Sequence, residues 1–156
     1  MQQYRKSKQI MVGGLPMGGG APVSVQSMLN TPASDIPASL EQAKRLEAAG
    51  CQIIRAAVPD MQAMQLIDRL KQTVSVPIVA DIHFDYRLAI ESVAAGVDKV
   101  RINPGNIGDD DRVRQGVQCC KQHEVPIRVG VNSGSLEKNI LAKYGHPTAQ
   151  AMVDSA

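Results

Sequence analysis

The chain has 156 residues, enough for one domain with a sizeable hydrophobic core. A net charge of only +2 argues against binding nucleic acid through a strong overall field, and one Phe, three Tyr and no Trp leave few rings for stacking on bases. No apolar segment approaches the roughly 20 residues of a membrane span, and the basic N-terminus lacks the apolar core of a signal peptide. We therefore expect a cytoplasmic protein with reduced thiols that binds neither nucleic acid nor membrane.

Residues 1–22 contain two glycine clusters, Gly13–Gly14 and Gly18–Gly20, ahead of the first predicted strand. The clusters lack the strand–loop–helix context of a dinucleotide-binding or phosphate-binding glycine motif. They are typical of a tight turn instead. We predict that residues 1–22 form a hairpin, which could plug the bottom of a domain formed by residues 23–156.

From Val23 onward, apolar segments typical of strands alternate with amphipathic segments typical of helices. The predicted strands are Val23–Gln26, Ile53–Val58, Ile78–Ile82, Lys99–Ile102 and Ile127–Val131. The predicted helices are Ser34–Ala49, Asp60–Gln72, Asp85–Ala95, Asp109–His123 and a last one that begins near Thr148. This alternation with short loops indicates a parallel sheet.

Two faint internal repeats indicate how the sheet is arranged. EAAGCQIIR, ending at Arg55, resembles VAAGVDKVR, ending at Arg101, and VPIVADIH from Val76 resembles VPIRVGVN from Val125. A period of two strand–helix units is typical of a barrel built by duplication. We predict an α/β fold, a partial TIM (β/α) barrel with about five of eight βα units and an N-terminal hairpin. A flat, doubly wound sheet is the competing architecture.

Polar side chains share one face of the last four predicted strands and lie late in each strand. Because side chains alternate between faces and the apolar face must lie under the helices, we expect the polar face to point into the barrel. Active sites of TIM barrels lie at the carboxyl ends of the strands. The residues predicted to converge there are Arg55, Asp81, His83, Arg101, Asn103, Arg128 and Asn132.

Three inward arginines would repel one another and would be costly to bury unless they were paired. Asp81 can neutralise one of them, and the remaining excess indicates an anionic ligand, because guanidinium groups bind phosphate oxygens through paired hydrogen bonds. We predict a small phosphorylated substrate; an internal salt-bridge network, completed by strands beyond Ala156, is the alternative. Asp81 could also orient His83, which favours an acid–base role for that histidine over a purely structural one.

Four motifs resemble those of the hydroxymethylbutenyl diphosphate synthase family. They are VQSMLNT from Val25, ADIHFDYR from Ala80, RINPGNIG from Arg101 and RVGVNSGSLEKN from Arg128. The motifs occur in the family's order at close spacing, and the similarity covers nearly the whole chain. The departures at Gly14, Leu29 and Ser133, where Asn, Thr and Ala are frequent, remove no charged or acid–base group.

The resemblance implies an oxidoreductase of isoprenoid biosynthesis. Enzymes of this family open 2-C-methyl-D-erythritol 2,4-cyclodiphosphate to 4-hydroxy-3-methylbut-2-enyl diphosphate in the methylerythritol phosphate pathway. By position, the resemblance implies that Asp81 and His83 are catalytic, with His83 as proton donor to the departing oxygen. It implies that the substrate-binding residues are Arg55, Arg101, Asn103, Arg128 and Asn132.

The resemblance also implies a 4Fe-4S cluster in the full-length enzyme, held in a C-terminal domain by three cysteines and a glutamate. We expect that domain to be absent from this chain, and Cys51, Cys119 and Cys120 do not match its ligands. We therefore expect this chain alone to bind no metal or cluster and to be inactive. The expected partners are the cyclic diphosphate, flavodoxin or ferredoxin as electron donor of the full enzyme, and a second copy in a homodimer. A dihydropteroate-synthase-like, non-redox barrel enzyme and an anion-binding module remain alternatives.

Overall fold

The computed structural model describes residues 6–107 and 110–156. The strands are β1 (Ile10–Val12), β2 (Leu15–Met17), β3 (Gln26–Met28), β4 (Ile53–Val58), β5 (Ile78–Ile82), β6 (Lys99–Ile102) and β7 (Ile127–Val129). The helices are α1 (Ile36–Ala48), α2 (Met64–Thr73), α3 (Tyr86–Ala94), α4 (Pro104–Ile107), α5 (Asp110–Gln122), α6 (Lys138–Tyr144) and α7 (Ala149–Ser155). Within these residues, none of the helices is long and apolar enough to cross a membrane.

The main sheet is parallel, and its strands follow one another in sequence order from β3 to β7. Each strand is followed by at least one helix. A doubly wound sheet would reverse its strand order at a switch point, whereas the wall of a (β/α) barrel does not. The strand order therefore agrees with the predicted barrel wall of five βα units.

The hydrophobic core lies between the outer face of the sheet and the helices. Ile54, Ile78 and Val100 are fully buried there and belong to the same cluster as Leu66 and Leu70 of α2. Each buried aliphatic side chain of this kind stabilises the fold by about 1.5–3 kcal/mol. Because this face is occupied by the core, the alternate residues of β4, β5 and β6 must face the barrel interior.

Aspartates begin three of the helical segments, as expected from their fit to free backbone N–H groups. The side chains of Asp35, Asp60 and Asp85 accept hydrogen bonds from backbone N–H groups two or three residues further on. Gly50 and Gly96 follow α1 and α3 with φ of +89° and +82°, a conformation that glycine adopts without strain. These local signals explain why the predicted helices are found close to their expected bounds.

Four elements differ from the prediction, among them the short helix α4, which follows β6 where no helix was predicted. Strand β3 begins at Gln26 and not at Val23. Val23 is 96% exposed, and the pairing with β4 begins only where Gln26 lies opposite Ile53. Strand β7 ends at Val129, two residues early, and helix α6 was not predicted. The predicted start of the fourth helix, Asp109, lies outside the described residues.

The predicted N-terminal hairpin is present as the antiparallel pair β1–β2, which turns at Gly13 and Gly14. The second glycine cluster, residues 18–20, follows β2 and forms a separate bend. A Cβ at Gly13 would lie 2.9 Å from Asp98 and 3.2 Å from Pro77, residues just before β6 and β5. The hairpin therefore packs against the amino ends of the strands, opposite to the end where the candidate site lies; its role as a plug of a closed barrel stays a prediction.

The two outer strands of the main sheet, β3 and β7, each pair on one side only within the described residues. Apolar side chains lie at both edges, with Val25 60% exposed and Val129 47% exposed. An open edge offers unpaired N–H and C=O groups to another strand.

We expect the isolated chain to self-associate through these edges, with a mass above that of the monomer in size-exclusion chromatography with light scattering. Val129→Lys should reduce the association, because a charge on an edge strand disfavours strand pairing. Val117→Lys, at a partly exposed position of α5, is the matched control. A sharp monomer peak at all concentrations of the unmodified chain would contradict this prediction.

Candidate functional site

The centre of the candidate site is the carboxylate of Asp81 on β5, which is 1% exposed. Arg55 of β4 donates to its Oδ2 from Nε at 3.1 Å and from Nη2 at 2.5 Å. Arg101 of β6 donates to its Oδ1 from Nη1 at 3.1 Å. The three residues lie on adjacent strands with side chains on the same inward face, so the carboxylate contacts two arginines and not one.

His83, directly after β5, reaches the same carboxylate. Its Nε2 lies 3.3 Å from Oδ2 of Asp81, and its side chain is 37% exposed. Its ring also lies edge-on to Phe84, with ring centroids 6.0 Å apart. The predicted contact between Asp81 and His83 is thus present, with one edge of the imidazole held and the ring still open to solvent.

Gly130, just beyond β7, is not among the residues that the sequence predicts for the site, but it contacts one of them. Its carbonyl accepts a hydrogen bond from Nη2 of Arg101 at 3.0 Å. A Cβ at this position would lie 2.6 Å from Nε and 2.9 Å from Nη2 of Arg101. Only a glycine leaves room for the guanidinium here, and a glycine that interrupts a strand pattern is the sequence signal for such a close approach.

Arg128 and the two predicted asparagines occupy the neighbouring strand ends. Arg128 pairs in register with Arg101 and is exposed. Asn103 is 2% exposed and donates from Nδ2 to Oγ of Ser135 at 2.6 Å, and the same Oγ lies 3.0 Å from Oδ1 of Asn132. The asparagines therefore meet through Ser135, a residue that sequence reasoning missed although it lies in the RVGVNSGSLEKN motif.

Lys99, two residues before Arg101 on the same face of β6, adds a further cation. It is 5% exposed, and its Nζ lies 3.8 Å from Sδ of Met17 in the hairpin. Burial lowers the pKa of this amine, and the positive charges of Arg128 and Arg55 lower it further. The cations of this face are thus Lys99, Arg55, Arg101 and Arg128, and in the described part of the chain the carboxylate that pairs with any of them is that of Asp81.

The larger grooves lie at the other end of the sheet. Cavities of about 480 and 950 Å³ flank the hairpin, and both are lined by Gly13 and Asp98. They contain none of the arginines of the candidate site. The candidate site is therefore defined by converging side chains and not by a large cavity.

The cysteines do not fit an iron–sulfur cluster. Over residues 6–107 and 110–156, no group of three or more His, Cys, Asp or Glu side chains could hold a metal ion. The thiol of Cys51 donates to the carbonyl of Ile53 at 3.0 Å. Cys119 and Cys120 are neighbours on α5, and burial, with the adjacent Cys119, raises the pKa of Cys120 to about 11, whereas metal ligation requires the thiolate.

Two solved structures resemble the fold. Dihydropteroate synthase from Vibrio fischeri ES114 has a TM-score of 0.59 at 17% identity, over 78% of this chain and 48% of that one. Dihydropteroate synthase from Yersinia pestis has a TM-score of 0.60 at 16% identity, over 95% of this chain and 59% of that one. At this identity the likeness concerns the fold alone, and it agrees with the predicted α/β barrel architecture.

Relatives in sequence are much closer. The 4-hydroxy-3-methylbut-2-en-1-yl diphosphate synthase (flavodoxin) of Psychromonas ingrahamii is 55% identical over 152 residues, which are 97% of this chain and 41% of that protein. The enzyme of the same name from Chromohalobacter salexigens is 54% identical over 154 residues, or 99% and 42%. The chain thus spans about two fifths of the length of these relatives. Residues 7–156 match the family described as the GcpE TIM-barrel domain, and this protein belongs to that family.

Proposed function

We propose that this chain is the substrate-binding barrel portion of a 4-hydroxy-3-methylbut-2-enyl diphosphate synthase. In the whole enzyme it would hold 2-C-methyl-D-erythritol 2,4-cyclodiphosphate while the ring is reductively opened. The observation that carries the proposal is the buried carboxylate of Asp81 shared by Arg55 and Arg101 at the strand ends. The names of the relatives, together with the family match, support this reaction.

The charge balance of the site supports a diphosphate ligand. One carboxylate cannot neutralise both arginines that it contacts, and Arg128 has no carboxylate partner in the described part of the chain. The side chains of Arg55 and Arg101 are 21% and 16% exposed, so part of each guanidinium remains within reach of a ligand. A guanidinium can bind two phosphate oxygens at once. A diphosphate therefore supplies the negative charge that would balance the arginines and the paired oxygens that fit their guanidinium groups.

Asn103, Asn132 and Ser135 would supply neutral hydrogen bonds beside the arginines. Their amides and hydroxyl already contact one another at 2.6 and 3.0 Å, which holds them in place without a ligand. Because these groups are already held in place, little further conformational entropy is lost when they bind the substrate. We assign them to the substrate's oxygens outside the reach of the guanidinium groups.

His83 is the proposed proton donor. Opening of the ring and loss of water consume two electrons and two protons overall, and the oxygen that leaves carbon needs a proton or a positive charge. Imidazole suits proton transfer near neutral pH, and Asp81 orients the ring of His83 at 3.3 Å while leaving its other edge open. Electron transfer is assigned to other parts of the whole enzyme, because the described cysteines do not fit a cluster.

The remaining partners follow from the same proposal. The names of the relatives specify flavodoxin, which we propose as electron donor of the whole enzyme rather than ferredoxin. A cytoplasmic location and a homodimer are also part of the proposal. A dihydropteroate-synthase-like activity has only a fold likeness in its favour. The contact of His83 with Asp81 favours an enzyme over a passive anion-binding module.

Arg101→Ala should weaken binding of pyrophosphate to this chain about thirtyfold or more, because truncating one partner of a buried charge pair commonly costs about 2–5 kcal/mol. Arg101→Lys should recover only part of the affinity, because an ammonium cannot form the paired contact. Isothermal titration calorimetry at low salt measures both. Arg114→Ala, at an exposed position of α5, is the control for net charge; equal affinity of the two alanine variants would remove Arg101 from the site.

Gly130→Ala should weaken pyrophosphate binding about tenfold or more, since the new Cβ displaces the guanidinium of Arg101 and disrupts a charged hydrogen bond. Gly116→Ala on α5 is the matched control, because its Cβ would meet the nearest atom at an ordinary 4.0 Å. Circular dichroism melting of both variants checks folding. A folded Gly130→Ala protein with undiminished affinity would show that the position of Arg101 does not matter.

Anaerobic reconstitution of this chain with iron and sulfide should yield no stoichiometric cluster, because Cys51, Cys119 and Cys120 cannot meet around one. Visible absorbance and iron content per chain are the measurements, with a full-length relative treated in parallel. A loaded chain with reductase activity would overturn the division of roles proposed here.

A further inference from the structure

Lys99 is a buried cation that the proposed substrate contacts leave unexplained. Its side chain is on the inward face of β6, 5% exposed, and the acceptor that the structure gives its ammonium is the thioether of Met17. A thioether is a weak acceptor. A buried ammonium with so poor a partner is costly unless some other charge compensates it.

The carboxylates nearest in the chain are already engaged. Asp81 binds Arg55 and Arg101. Asp98 lies next to Lys99 in sequence but on the other face, where it accepts from Nζ of Lys71 at 2.7 Å and from the backbone N–H of Ile78 at 2.8 Å. Neither one is available to compensate the ammonium.

The other groups that face Lys99 increase the cost. Val79 of β5 is its partner in the strand register and carries no charge. Arg128 of β7 and Arg55 of β4 act on Lys99 through their positive charges. Val79, Arg55 and Arg128 are therefore apolar or cationic, and none of these neighbours neutralises Lys99.

We propose that Lys99 is a fourth cation of the anion site, which binds a diphosphate through its charge from beneath the arginines. The inference rests on the proposed function, since it concerns the same ligand. A diphosphate on the arginines would neutralise the charges that now repel the ammonium, so ligand and ammonium would stabilise each other. Met17 covers the amine on the hairpin side and keeps water away, and in a poorly screened interior a charge acts over a longer distance.

Lys99→Met removes the positive charge while changing the shape of the side chain little, so it tests whether the charge contributes to binding. We expect pyrophosphate affinity, measured by calorimetry at low salt, to fall about three- to tenfold, as for a charge acting at a distance rather than by contact. Stability in urea should be unchanged or higher, because the substitution removes a buried charge. Lys121→Met, exposed at the end of α5, makes the same change in net charge and should leave affinity unchanged.

A second set of variants changes Met17, the hairpin residue that contacts the ammonium of Lys99. Met17→Glu places a carboxylate beside Lys99 and should weaken pyrophosphate binding as Lys99→Met does, whereas Met17→Gln should not. Lys99→Arg should keep the affinity of the unmodified chain. Because the pKa of Lys99 is lowered, its amine loses its proton at a lower pH than an ordinary lysine does. As pH rises, pyrophosphate binding should therefore weaken more in the unmodified chain than in Lys99→Arg, whose guanidinium stays charged.

The outcomes separate the two proposals. If the unmodified chain does not bind pyrophosphate, both are wrong. If it binds and Arg101→Ala weakens binding while Lys99→Met and Met17→Glu do not, the anion site stands and the role of Lys99 is overturned. Weaker binding in Lys99→Met with a matching loss of stability would also overturn it, because the residue would then support the fold and not the ligand.

Discussion

The candidate site depends on one interaction, the sharing of the Asp81 carboxylate between two arginines of neighbouring strands. The carboxylate is buried on the middle strand of the five-stranded sheet, and each of its oxygens is bound by a different arginine. This arrangement holds Arg55 and Arg101 at fixed positions on the inward face. It also leaves the face with excess positive charge, and that excess is the property from which the proposed ligand follows.

The two faces of the same strands have different roles: the outer face stabilises the fold, and the inner face carries the proposed binding site. The outer face carries Ile54, Ile78 and Val100 into the core under the helices, where burial of apolar surface stabilises the fold. The inner face carries a charged cluster at the place where most barrels have further aliphatic side chains. A charged interior is costly to maintain, and in the proposed function the bound diphosphate offsets part of that cost.

Parts of the chain far from one another set the geometry of the cluster. Gly130 limits where the guanidinium of Arg101 can lie, since no side chain fits between them. Met17 of the hairpin covers Lys99 from the amino ends of the strands. The hairpin is therefore connected to the candidate site through a buried side chain, although it packs at the opposite end of the sheet.

The sequence by itself determined the elements whose signals are local. Strands β4, β5 and β6 match their predicted bounds because they are apolar runs between helix ends and helix starts, and alternation along them correctly placed the charged residues on one face. Strand β3 was misplaced because Val23 and Val25 have the composition of a strand but are exposed. Only the tertiary structure decided that Asp81 contacts two arginines, that Asn103 reaches Ser135 and that Met17 covers Lys99. The physical reason is that alternation depends on adjacent residues, whereas these contacts depend on the spacing of side chains that are tens of residues apart in the chain.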